Sequence, residues 1–402
     1  MIPELRKLYN QSFSEEKYEA FLKDLKSRHP GSIDFRVAET PVFVPQDFRE
    51  KMISACESII DIITSPHFKK QSETAIPSRD FVPGNEPACA FIAFDFGVCE
   101  NAEAELEPQL IEMQGFPSLN AFQVYYPEIL RKHFALPDEF SPYLNGYTPE
   151  TYLEELKKVI LGNEDPDQVI LLELKPHEQK TRIDFYCTQD YLGIQPVCLT
   201  DLIAEGNQLY YVNERTKKKT RIMRIYNRII SDDLHAQQEN LGPHISLQQN
   251  WDVTWVPHPN WFYRISKHTL PFIRHPYVPK TFFLDEVKQI PADLENYVLK
   301  PLFSFAGQGV VIDIKKEDIA SISDPHNWIL QRKVNYASII KTPGIPAKAE
   351  IRIMYLWPEG AERPRAALNL ARLSKGKMIG VRYNKDQNWV GGSVALFSAS
   401  FT

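Results

Sequence analysis

A lysine ends the short apolar run Tyr297-Val-Leu-Lys-Pro301. A turn holding Ser304, Gly307, Gln308 and Gly309 follows, and a second apolar run, Gly309-Val-Val-Ile-Asp-Ile314, begins at once. A cation set before a glycine-bearing turn suits a phosphate. The ammonium meets the charge, and the glycines let backbone N–H groups approach the oxygens without a Cβ in the way. The segment is not a P-loop, because it lacks G-x-x-x-x-G-K-[ST] and leads into a strand rather than a helix. Taken alone, it reads equally well as an ordinary β-hairpin with a solvated lysine at a strand end.

A second set of reactive groups lies far upstream. In Phe91-Ile-Ala-Phe-Asp-Phe-Gly-Val98 the residues alternate, so Ile92, Phe94, Phe96 and Val98 share one face and Ala93, Asp95 and Gly97 the other. In Leu110-Ile-Glu-Met-Gln114, Ile111 and Met113 are separated from Glu112 and Gln114 by the same rule. If the two runs pair, Asp95, Glu112 and Gln114 converge on one surface. Hard divalent cations such as Mg²⁺ take oxygen ligands, and one or two carboxylates plus phosphate oxygens suffice. The plain alternative is a solvated polar face on a half-buried hairpin. Other chemistries lack their residues: there is no H-x-x-H or HExxH for zinc and no G-x-S-x-G for a serine nucleophile.

The elements that must position these groups fall into three blocks. Residues 1–148 open with helical patterns, among them Ser14 to Gly31 with Ser14 as cap, and then carry the paired acidic runs. Residues 149–260 alternate helix and strand (TPETYLEELKKVILG, DQVILLEL, KTRIDFYCTQDYLG, QPVCLTDL, QLYYV, TRIMRIYNRII), the pattern of a small open α/β sheet. Residues 261–402 hold a helix around SKHTLPFIRH and then strand-like runs with short connections, which reads as α+β.

Composition sets outer bounds. The 402 residues, 43% apolar and 24% charged, suit a soluble globular protein of two or three domains. A net charge of -6 argues against nucleic acid or an anionic membrane as the main partner. The five cysteines are scattered without C-x-x-C, as expected of reduced thiols in a cytoplasmic protein without a zinc site. MIPELRKLYN has no apolar core of the kind a signal peptide needs, and no apolar run has the length of a membrane span.

The order of the motifs then becomes informative. Lys267 lies in SKHTLPFI, Lys300 before the glycine turn, Gln331 to Val334 at the end of WILQRKV, Arg352 in EIRIMY, Arg372 in NLARLS, and Arg382 in MIGVRYN before NWVGG. This order resembles the ATP-grasp superfamily of carboxylate–amine ligases. In most members the acidic metal-binding run follows the arginine strands. Here it stands near the start instead, as FDFGV and EMQGFPSL, which resembles the circularly permuted members and among them the glutathionylspermidine synthetase-like group.

The resemblance implies a circularly permuted ATP-grasp fold with a pre-ATP-grasp α/β domain inserted mid-chain. It implies ATP and Mg²⁺ as cofactors, and as substrates a small-molecule or peptide carboxylate and an amine joined through an acyl phosphate. On this reading Lys267, Lys300, Ser304, Gly307, Gln308 and Gly309 hold phosphates. Gln331, Arg332 and Val334 line the adenine, Asp95, Glu112 and Gln114 hold magnesium, and Arg352, Arg372 and Arg382 steady the transferred phosphoryl group. The sequence also departs from the pattern: the first arginine of R-x-D is Ala93, and the asparagine of E-x-N is Gln114. Those departures keep a second reading open, a nucleotide-binding scaffold that has lost the chemistry.

Overall fold

The computed structural model describes residues 1–303, 308–376, 379, 384 and 386–398. Ser304, Gly307 and Arg382 therefore lie outside the described residues.

The N-terminal block begins as its caps and spacing require. Ser14 accepts the Lys17 amide and starts the helix Glu15–Ser27. The helix Gln46–Ile63 buries Phe48, Met52, Ala55, Cys56, Ile59, Ile60 and Ile63, a stripe at helical spacing. That stripe joins the core under the largest sheet, where Ile92, Phe94, Phe96 and Val98 are also buried. Strand β1 (Val42–Val44) precedes this helix; β2 (Phe91–Glu100) and β3 (Leu106–Gln114) follow it, and a short β4 (Phe140–Ser141) comes next.

The middle block is the small open sheet its alternation predicts. Thr148 caps the helix Pro149–Leu161, and Gly193, at φ 79, ends the helix Arg182–Leu192. Strands β5 (Val169–Glu173) and β6 (Gln195–Cys198) lie in this sheet. Next come β7 (Ile203–Glu205), β8 (Gln208–Val212) and β9 (Lys219–Arg221), which form a separate three-stranded antiparallel sheet. Strands β10 (Arg224–Asn227) and β11 (Thr254–Val256) return to the first, whose order β11-β10-β5-β6 is parallel throughout. TRIMRIYNRII is thus two strands rather than one. At Ile222 the amide still bonds Leu209, whereas Met223 bonds Gln168, so the chain changes sheets between them.

The C-terminal block supplies two further antiparallel systems. Strands β12 (Thr281–Phe283), β13 (Tyr297–Pro301), β14 (Val311–Ile312) and β15 (Trp328–Arg332) form a sheet of order β12-β15-β13-β14. Then come β16 (Lys348–Leu356), β17 (Arg365–Ser374), β18 (Gly391–Ser393) and β19 (Ala395–Ser398). The first three of these join the upstream pair in one five-stranded sheet, β18-β17-β16-β2-β3, while β19 runs parallel to β1. The helix expected around SKHTLPFIRH is instead a 3₁₀ turn, Lys267–Phe272. Pro271 removes the amide an α-helix would use, and Ser266 caps the turn through His268 N. Among the described residues no helix is long and apolar enough to cross a membrane.

Candidate functional site

The upstream acidic runs pair in the register that period two predicts. Asp95 stands opposite Glu112, and Ala93 opposite Gln114, with a register shift just beyond Asp95. On the other side of β2, Arg352 stands opposite Asp95, and one strand further on Arg372 stands opposite Glu350. Charged residues from 95 to 372 in the chain thus share one face of one sheet.

These charges form a closed network. Arg352 grips Asp95 with two bonds, Nε to Oδ1 at 2.5 Å and Nη2 to Oδ2 at 2.6 Å. Arg372 Nη2 donates to Asp95 Oδ2 at 3.1 Å and also to Glu350 Oε1. Tyr336 donates to the other oxygen of Glu350 at 3.2 Å. Asp95 is fully buried, and burial alone would raise its pKa. The charge and paired hydrogen bonds of Arg352, with Arg372, carry it below the usual carboxylate range instead. Glu350 goes the other way: burial raises it, Arg372 opposes, and the nearby negative charges of Asp95 and Glu112 add to the rise. The side chain of Arg372 keeps 34% of its surface exposed against 10% for Arg352, so Arg372 is the arginine with room to turn toward a ligand.

The sheet β12-β15-β13-β14 brings its lysine onto this face. Lys300 Nζ donates to the carbonyl of Ile111, next to Glu112, at 3.1 Å and to Gln331 Oε1 at 2.6 Å. Burial pushes Lys300 down to about 8, with Glu112 and Glu350 working to raise it and Lys267 to lower it. Lys267 is also buried and lowered by burial, against the pull of Glu112 and Asp232. Lys267, Lys300, Glu112, Glu350, Asp95, Arg352 and Arg372 are therefore one electrostatic cluster lying between two sheets.

Other predicted residues are placed differently. The Gln331 side chain is buried, accepts from Lys300 and donates to Thr281 Oγ1 at 3.3 Å. Arg332 is exposed, and its Nη1 pairs with Asp293 at 2.8 Å. Val334 is half-buried in the loop after β15. Gln308 and Gly309 are exposed, and Gly309 has φ 73, a backbone state that favours glycine. Gln114 is half-buried, and its side chain makes no hydrogen bond among the described residues.

Two residues of the cluster were missed as functional candidates. Glu350 reads in sequence as half of a surface pair, yet it is 4% exposed and braces Arg372. The available signal was its place two residues before Arg352, on the same strand face. Tyr336 gave no signal, because its role depends on a distant glycine. A Cβ on Gly97 would lie 2.7 Å from Tyr336 Cε1, so the ring packs on bare backbone. Gly97→Ala is expected to destabilise the protein by about 1–3 kcal/mol through overpacking. Urea unfolding checks this, and in a Gly97→Ala/Tyr336→Ser double variant the loss should be smaller than the sum of the two single losses.

The donor set fits magnesium in type. Glu112 and Gln114 offer oxygens, and Asp95 is held ionised, but its two oxygens are engaged by arginines. Among the described residues no three His, Cys, Asp or Glu side chains gather as a metal cage. Asp95 would have to release an arginine before its oxygens could ligate a divalent cation.

No protein-family model matches the chain. No curated protein is significantly similar to it in sequence. Among solved structures it is similar to a glutathione synthetase-like effector from Globodera pallida in its apo form, with a TM-score of 0.60, 97% of each chain covered and 9% identity. At that identity the likeness is one of fold. The chain has a mixed α+β fold similar to that of a glutathione synthetase-like protein.

Proposed function

We propose that the space between the two sheets binds ATP with Mg²⁺, and that the protein is a carboxylate–amine ligase of ATP-grasp type. The observation that carries this reading is the pair of buried lysines. Lys267 and Lys300 are 6% and 8% exposed, and burial lowers the pKa of both. Burying an ammonium costs stability, so two of them beside Arg352 and Arg372 form a receptacle for a polyanion. The fold likeness to a glutathione synthetase-like protein supports the same reading.

In this mechanism an oxygen of the carboxylate substrate attacks the γ-phosphorus, and ADP leaves. The amine then attacks the acyl carbon of the acyl phosphate, the amide bond forms, and inorganic phosphate and a proton are released. Lys300 and Lys267 neutralise the phosphates, and Gly309 lets the backbone of its turn come close. Arg372 is free enough to turn from Asp95 to the transferred group. Glu112, Gln114 and Asp95 would hold the metal, which when bound would supply positive charge against the phosphates. Partners on this reading are small molecules, one acid and one amine.

A second reading, a nucleotide-binding scaffold without chemistry, is favoured by the saturation of Asp95 by two arginines and by Ala93 at the R-x-D position. Two measurements separate the cases. Mg-ATP at millimolar concentration should raise the melting temperature, as any ligand of the native state does. Phosphate release that rises when mixed acids and amines are added indicates a ligase. A thermal shift without such release indicates a scaffold, and no shift at all sinks both readings.

A further inference from the structure

A cavity of about 300 Å³ has Arg79, His235, His244, Ser246, Leu247 and Gln248 among its lining residues. None of them belongs to the charged cluster between the two sheets. His235 is carried by the helix Ser231–Gln237, and His244 by the segment that follows it. Apolar neighbours pin both. Leu234 and Ile245 pack on the core that buries Leu241, Leu247 and Trp251, and the Trp251 indole donates to Ser246 O at 2.8 Å. The spacing H-x₈-H matches no metal motif, so only the fold brings the pair to one cavity.

Each ring has one nitrogen committed and one left over. His235 Nε2 lies 2.9 Å from Asp80 Oδ1. A carboxylate oxygen accepts, so Nε2 carries the hydrogen. His244 Nδ1 lies 2.9 Å from the Gly242 carbonyl and carries its hydrogen for the same reason. His235 Nδ1 and His244 Nε2 make no hydrogen bond among the described residues, and in the neutral rings both present lone pairs. An imidazole whose far nitrogen donates to a carboxylate or a carbonyl is the usual form of a metal-ligating histidine. Asp80 is buried and is held in turn by the Tyr263 hydroxyl, which donates to its Oδ2 at 2.8 Å. Arg79 reaches Asp80 only at 3.5 Å, and its side chain is mostly exposed, so it can swing clear.

We propose that His235 Nδ1 and His244 Nε2 bind a divalent transition metal, Zn²⁺, Ni²⁺ or Cu²⁺, in this cavity. Imidazole suits those ions, whereas a hard cation such as Mg²⁺ prefers oxygens like those around Glu112. A phosphate is the rival occupant, given Arg79. It would meet two nitrogen lone pairs, with the Asp80 carboxylate behind one of them, so both rings would have to take a proton first. A metal ion needs no such change. Two protein ligands leave the other positions to water, which makes an exchangeable site rather than a closed structural one. The ion would tie the helix Ser231–Gln237 to the segment after it. One turn before His235 on that helix stands Asp232, whose charge acts both on His235 and on Lys267. The metal would thus sit within electrostatic reach of the cleft, yet the site stands without the nucleotide reading.

Isothermal titration calorimetry of the metal-free full chain with Zn²⁺, Ni²⁺ and Cu²⁺, in millimolar Mg²⁺, tests the site. At least one of the three should bind saturably despite the Mg²⁺. His235→Gln and His244→Gln should each weaken it by about tenfold or more, and the double variant should abolish it. His244 is exposed, so its loss cannot be mistaken for misfolding. Asp80→Asn leaves both ligands in place and should still weaken binding by about tenfold, which a histidine acting only by packing would not show. No saturable binding of any of the three overturns the site, and so does binding unchanged in the double variant. Inorganic phosphate that binds where no metal does, and is lost in the same variants, would assign the cavity to an anion and overturn the metal. The Mg-ATP thermal shift should be alike in wild type and double variant, so its absence from both removes the nucleotide reading and leaves this site standing.

Discussion

Lys300→Met is expected to leave the ligand-free protein more stable and to abolish its stabilisation by Mg-ATP. The first effect follows from proton linkage. In the unfolded chain the ammonium keeps its proton up to 10.5, but in the folded protein burial brings the value to about 8. Between those values the unfolded state binds more protons, so stability rises with pH across that window. Below it the folded state carries the whole cost of a buried cation, of the order of 3 kcal/mol for a shift of about 2.5 (10.5 minus 8). Methionine fills the alkyl volume without the charge. Gln331 Oε1 and Ile111 O lose their donor, which takes back about 1–2 kcal/mol. The net gain at pH 7 is about 1 kcal/mol, and it should disappear above pH 10.5. Denaturant unfolding from pH 7 to 10.5 checks it: the wild type should show the rise and the variant a flat profile. A variant less stable at pH 7, with the rise intact, would mean that another group carries the cost. The second effect is the functional one. A residue that lowers stability and is needed for a polyanion marks a site rather than a support. An unchanged Mg-ATP shift in Lys300→Met would break the assignment of Lys300 to the phosphates.

How much of this was legible in the sequence differs from residue to residue, for physical reasons. Asp95 opposite Glu112 could be read because side-chain direction in a strand follows period two, and the core face Ile92, Phe94, Phe96 and Val98 fixes which way the strands turn. The Ser14 cap could be read because it acts through its own backbone neighbours. The pairing of β2 with β16 could not be read from periodicity, because nothing local to either strand names a partner 257 residues away. Only the order of motifs suggested that the two ends of the chain belong together. The use of Gln331 was opaque for a similar reason, since its partner Lys300 lies on another strand. Lys267 was expected on a helix and lies on a 3₁₀ turn, where Pro271 outweighs the helical spacing.

Arg352→Met should lower stability by about 3 kcal/mol or more at neutral pH, the range for removing one partner of a buried ion pair. Asp95 has no exposed surface and would lose both bonds from Arg352, keeping the bond from Arg372. In the wild type its folded pKa is depressed, so the pair contributes fully above the unfolded value near 3.8 and is lost only as pH falls through the folded one. In the variant burial dominates and the carboxyl moves up, above the unfolded value. The cost of burying its charge is then greatest at neutral pH and fades as acid protonates it. Unfolding free energies at pH 7 and pH 4 should therefore differ between the two proteins by less at the lower pH. Adding Asp95→Asn to Arg352→Met removes the unpaired charge and should recover part of the loss at pH 7. Equal losses at both pH values, with no recovery in the double variant, would mean that Arg352 acts by packing alone. The same result would remove the reason to think that Asp95 must exchange an arginine before it can share a divalent cation with Glu112.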